Sequence, residues 1–178
     1  MNTFIQILTY FRIFSGPIIF LLILIVQNYG MALLLLVLAS ASDYWDGYLA
    51  RRYSLTSILG AVLDPIADKI LITFTVIALS LDLGSSYIAF LGSIMLAREY
   101  WVSALRDLNA REGNTNATKV TFLAKIKTAI QLGTFCFYLL GLYLNNALIV
   151  FLANFFLFIA LIITLQTGLS YTISTFKK

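Results

Sequence analysis

Asp43-Tyr44-Trp45-Asp46-Gly47-Tyr48-Leu49-Ala50-Arg51, then eight residues, then Gly60-Ala61-Val62-Leu63-Asp64-Pro65-Ile66-Ala67-Asp68: this stretch holds four of the eight acidic residues in a chain of 178. The other four are Asp82, Glu99, Asp107 and Glu112. Asp43 and Asp46 are spaced i,i+3; Asp64 and Asp68 are spaced i,i+4. At about 100° per residue, each pair lies on one face of a helix. The segment around Arg51–Thr56 is short enough to be a turn. That makes the two helices antiparallel neighbours, with their carboxylates facing at similar depth.

The sequence around this stretch is apolar. Hydrophobic residues make up 61% of the chain and charged residues only 11%, against about 25% charged in a soluble domain. A free soluble protein is excluded. Twelve basic residues scattered through apolar sequence form no basic stripe, so a nucleic-acid partner is excluded too. With no histidine and one cysteine, Cys136, there is no imidazole base, no His-ligated zinc and no intrachain disulfide.

Six apolar segments reach the length of roughly 20 residues that a membrane helix needs. They run from about Phe11 to Val26, Gly30 to Arg51, Ser57 to Leu81, Ser85 to Leu108, Ala124 to Leu144 and Ala147 to Tyr171. Turn-forming residues separate them at Gln27–Gly30, Asp82–Gly84 and Asn145-Asn146. These three turns contain no Lys or Arg. The Arg51-Arg52 turn, the Arg111–Lys119 loop and the Lys177-Lys178 tail carry the positive charge. The positive-inside rule then puts both termini in the cytoplasm. The N-terminus lacks the charged region of a secretory signal, so the first segment reads as a retained helix. Residues before Phe11 either form a short interfacial helix or extend the first span. The expected fold is an all-α bundle of six transmembrane helices forming one domain over residues 1–178.

Ionisable residues inside membrane segments point to a functional site. Four carboxylates in close proximity need protons or cations to offset their repulsion. Oxygen ligands without His or Cys suit Mg²⁺, Ca²⁺ or Mn²⁺, one or two ions for four carboxylates. Gly47, Ala50, Gly60 and Ala67 lie among the acids and leave room for a ligand or for close helix packing. Two other readings use the same residues. One is an internal ion-pair network with Arg51, Arg52 and Lys69; the other is a cation or proton pathway.

The stretch matches D-x2-D-G-x2-A-R-x8-G-x3-D-x3-D at all eight fixed positions. This resembles the signature of the CDP-alcohol phosphatidyltransferases, and the six-helix layout agrees with that family. Three further segments resemble its bacterial phosphatidylglycerophosphate synthase branch. Arg98 to Arg106 is similar to R-E-x-x-V-S-x-L-R, and Lys125 to Gln131 to K-x-K-T-x-x-Q. Leu8-Thr9-Tyr10-Phe11-Arg12, followed by Pro17, is similar to an L-T-x-x-R opening. Ala124 stands where the branch usually has Gly, and Gln6-Ile7 where it has Pro-Asn.

The resemblance implies transfer of a phosphatidyl group from CDP-diacylglycerol to sn-glycerol 3-phosphate, with release of CMP. It implies that Asp43, Asp46, Asp64 and Asp68 hold Mg²⁺ or Mn²⁺, two ions per site, with Asp68 as general base. Gly47, Ala50, Arg51 and Gly60 match positions lining the cytidine diphosphate pocket. Arg98, Arg106, Lys125 and Lys127 are candidates for the acceptor phosphate; Thr9 and Arg12 are further candidates without an assigned role. Arg98 and Arg106 lie about 80° apart on an ideal helix and can face one pocket; Lys125 and Lys127 lie about 200° apart, so one faces inward. The family also implies a homodimer. The expected location is the inner (cytoplasmic) membrane, with the active site at its cytoplasmic side, where acyl chains stay in lipid and the polar groups meet water. The alternatives are a family member using serine, inositol phosphate or phosphatidylglycerol as acceptor, and a divalent-cation transporter.

Overall fold

A computed structural model describes residues 2–53, 58–114 and 122–177. They form six helices: α1 (Asn2–Leu24), α2 (Tyr29–Tyr53), α3 (Ile58–Asp82), α4 (Ser86–Arg111), α5 (Phe122–Tyr143) and α6 (Ala147–Phe176). No strand occurs among the described residues. The breaks fall at the turn residues of the sequence. Gln27, Gly84 and Asn145 take the left-handed conformation, with φ of 53°, 55° and 49°, which ends a helix and frees its last carbonyls for closing bonds. Ser85 and Asn146 then cap the next helices, their side chains accepting from the backbone N–H of Ile88 and of Leu148 and Ile149.

Among the described residues, four helices are long and apolar enough to cross a membrane: α1 over Gln6–Leu24, α4, α5 over Ile126–Tyr143, and α6. In α2 the apolar run is Tyr29–Asp43, ending at the first carboxylate. The residues before Phe11 continue α1 without a break, so no separate interfacial helix precedes the first span.

The helices close a ring. α1 packs on α2 and α3, α3 on α4, α4 on α6, α6 on α5, and α5 back on α2; α3 also touches α5 across it. Among the described residues, α1 packs against both α2 and α3. Gly16 makes this possible, since a Cβ there would lie 3.1 Å from the Ile70 carbonyl oxygen and 3.2 Å from Leu71 Cα. Small residues allow such close approach where lipid removes any hydrophobic drive to associate.

Ile19, Ile23, Leu36, Leu79, Phe135 and Leu157 are fully buried at the centre. Phe14, Leu34, Phe90 and Phe151 are exposed, an outward apolar face compatible with a lipid surround. Interior hydroxyls bond back to their own helix: Ser15 donates to Phe11, Thr75 to Leu71 and Thr134 to Ile130 carbonyls. This satisfies them without a partner helix.

Candidate active site

Two charged clusters stand on neighbouring faces of α5. The first gathers the acids of α2 and α3 onto α1. Thr9 and Arg12 are i,i+3 and share a face of α1. Thr9 Oγ1 donates to Asp64 Oδ1 at 2.9 Å. Arg12 Nη1 donates to Asp43 Oδ1 and to Asp68 Oδ1, each at 2.8 Å. The structure therefore brings three of the four signature acids to one helix face, and it does so through residues the sequence left without a role. Lys69 pairs with none of the described carboxylates. Asp46, Gly47, Ala50, Arg51 and Gly60 belong to the segment whose side chains lie outside the described residues.

A cavity of about 20 Å³ lies against Arg12, Asp43 and Asp68, and Thr128 and Leu132 of α5 also line it. No three carboxylate or thiol groups converge to metal-binding distance among the described residues. The donor set still fits a hard divalent ion. It is all oxygen, two of its members reach a single nitrogen, and both are open: the side chains of Asp43 and Asp68 are 48% and 41% exposed.

The second cluster joins α4, α5 and α6. Glu99 Oε1 accepts from Arg98 Nη1 at 3.2 Å and also from Lys127 Nζ. Arg98 Nη2 donates to Thr167 Oγ1 at 2.6 Å. Arg98 and Lys127 are both buried, so Lys127 is the inward-facing lysine of its pair. The Lys125 side chain lies outside the described residues. Arg106 is not in this network: it is exposed, with its guanidinium carbon 5.7 Å from the centroid of the buried Tyr171 ring.

Two residues here carry no role in the sequence reading, Thr167 and Gln131. Glu99, which that reading has either orienting Arg98 or offsetting its charge, accepts from Arg98 and also joins α4 to α5 through Lys127. Thr167 anchors Arg98; its only sequence signal is polarity within an apolar helix. Gln131 is fully buried, and neither amide atom has a hydrogen-bond partner among the described residues.

The clusters meet at consecutive residues. Thr128 lines the acidic cavity, while Lys127 reaches Glu99. A single step along α5, about 100° around the helix, thus separates a negative, open cluster from a positive, buried one. A larger groove of about 460 Å³, lined by Ser85, Tyr87, Asn154 and three phenylalanines, lies near the starts of α4 and α6 and contains no charged side chain.

Such an arrangement can seat a cation and an anionic group side by side. Comparison with known proteins supplies the family. Proteins named CDP-diacylglycerol–glycerol-3-phosphate 3-phosphatidyltransferase are similar to the chain. Those of Yersinia pestis and Yersinia pseudotuberculosis are 34% identical over 139 residues, covering 78% of this chain and 74% of each relative. That of Shigella flexneri is 29% identical over 167 residues, covering 93% and 90%. The family model for CDP-alcohol phosphatidyltransferase matches residues 3–166, which include every described residue of both clusters except Thr167 and Tyr171, and the chain belongs to that family.

Proposed function

We propose that this membrane enzyme transfers the phosphatidyl group of CDP-diacylglycerol to sn-glycerol 3-phosphate, giving phosphatidylglycerol phosphate and CMP. Besides the family, the observation that carries this reading is the abutting of the two clusters on α5. The buried Arg98 and Lys127 suit a small dianion such as the acceptor phosphate. The acids beside them suit the donor.

Asp43, Asp46, Asp64 and Asp68 would hold Mg²⁺ or Mn²⁺, two ions balancing four carboxylates, which supply charge neutralisation to the diphosphate and to the departing CMP. Asp68 acts as general base. Its Oδ1 accepts from Arg12, so Oδ2 is the oxygen that takes the acceptor hydroxyl proton. The hydroxyl oxygen forms a bond to the phosphorus bearing diacylglycerol, and the bond from that phosphorus to CMP breaks. Arg98 and Lys127 hold the acceptor phosphate, with Arg106 and Lys125 as further candidates for it. Gly47, Ala50, Arg51 and Gly60 line the cytidine diphosphate pocket.

The proposal includes a six-span bundle in the inner (cytoplasmic) membrane with both termini and the site on the cytoplasmic side, open sideways to lipid. It also includes a homodimer. Cysteine labelling that found the Asp43–Asp68 region accessible only from the outer face would overturn the orientation.

The test is CMP release from CDP-diacylglycerol by purified protein, with each acceptor, in Mg²⁺, Mn²⁺ or EDTA. Turnover with glycerol 3-phosphate and a divalent ion, and none in EDTA, is expected. Turnover with serine alone would transfer the protein to another branch. Metal flux into liposomes without CMP production would make it a transporter.

A further inference from the structure

Arg12 is fully buried, whereas the Asp43 and Asp68 side chains it bonds are 48% and 41% exposed. The cation therefore sits behind the acids, and the acids face the open side. A buried guanidinium on an apolar helix is costly unless paired, and here one nitrogen serves two carboxylates from two different helices. Asp64 is treated differently: its partner from α1 is the neutral hydroxyl of Thr9. Among the described acids, the positive charge is thus directed at Asp43 and Asp68, which line the same cavity. Two carboxylates sharing a site cannot both stay ionised without a compensating charge.

We propose that Arg12 is a built-in counter-cation of the metal site. It holds Asp43 and Asp68 in register when no divalent ion is bound. It also opposes ion binding, because both cations draw on the same carboxylate charge, and so keeps the site's ions exchangeable. Arg12 is a positioning residue: it acts through Asp43 and Asp68 rather than on substrate. The inference rests on the metal reading of the acids given above.

The test uses the full chain in detergent and needs no turnover. Mn²⁺ affinity is read by paramagnetic resonance of free Mn²⁺, and unfolding temperature is read in EDTA and in Mn²⁺. Arg12→Gln should bind Mn²⁺ roughly tenfold more tightly, within the usual range for coupled sites. It should melt lower than the parent in EDTA and gain more from Mn²⁺. Arg12→Lys keeps the charge and should stay near the parent in both measurements. Unchanged or weaker Mn²⁺ binding by Arg12→Gln overturns the proposal, as does equal behaviour of the two variants. If Arg12→Gln is unstable, it should fold when prepared with Mn²⁺ and unfold on chelation; failure to fold with Mn²⁺ present also overturns the proposal. Absence of Mn²⁺ binding by the parent protein would defeat the metal reading itself, a distinguishable result.

Discussion

The side chain of Arg98 crosses α6 against Gly168: a Cβ at that glycine would lie 3.0 Å from both Cγ and Nε of Arg98. Contact with Gly168 and the hydrogen bond that Arg98 donates to Thr167 together set where this buried guanidinium ends. Two adjacent residues of α6, neither charged, thus position a cation carried by α4.

Gly168→Val should therefore act on the acceptor. A branched side chain displaces Arg98 and moves its head group off the Glu99–Lys127 network. The expected result is a rise of roughly tenfold in KM for glycerol 3-phosphate, equivalent to one charge-assisted hydrogen bond of about 1.4 kcal/mol. KM for CDP-diacylglycerol should hold. Steady-state kinetics with each substrate varied in turn checks this, and an equal rise in both constants would count against it.

Lys127 and Lys125 should separate cleanly. Lys127 is buried and bonded to Glu99, while Lys125 starts about 200° away on an ideal helix. Lys127→Met should cost at least about tenfold in kcat/KM for the acceptor, as loss of a buried cation does. Lys125→Met should cost no more than about threefold, the expectation for a lysine spaced onto the other face of an ideal helix. Parallel assays of CMP release decide between them.

Thr9→Val keeps the shape of the side chain and removes the donor to Asp64 Oδ1. A hydrogen bond to a charged group contributes about 1.5–3 kcal/mol. Turnover should fall by roughly tenfold or more if Asp64 loses its orientation. Binding of Mn²⁺ should weaken in step, the opposite direction from Arg12→Gln. The same resonance titration reads both variants.

Gln131→Leu should leave the fold at least as stable as the parent. The Gln131 amide is fully buried with both polar atoms unpartnered among the described residues, a condition that costs about 1–3 kcal/mol. An apolar side chain of similar size removes that cost. Thermal unfolding in detergent checks it, and a marked drop in melting temperature would show that the amide has a partner in the working protein.

The fold was legible in the sequence because its signals are local. Apolar runs marked the helices, and Gln27, Gly84 and Asn145 marked where they stop, since a left-handed residue ends a helix wherever the helix lies. The acidic signature was legible for the same reason. Spacings of three and four residues place carboxylates on one face without reference to any neighbour. The packing of α1 against both α2 and α3 was less legible, because no local spacing reports which helix lies beside which.

The sequence alone determined a membrane bundle, the helical faces bearing Asp43, Asp64 and Asp68, and the family. Only the tertiary structure decided which groups answer those charges. Arg12 lies 31 and 56 residues from Asp43 and Asp68, Glu99 lies 28 from Lys127, and Arg98 lies 69 from Thr167. Backbone periodicity extends over about four residues, so it carries no information at those separations. In an interior with little water, each buried charge must find a partner wherever packing brings one within reach. That requirement, met by α1 for the acids and by α6 for Arg98, completes the site.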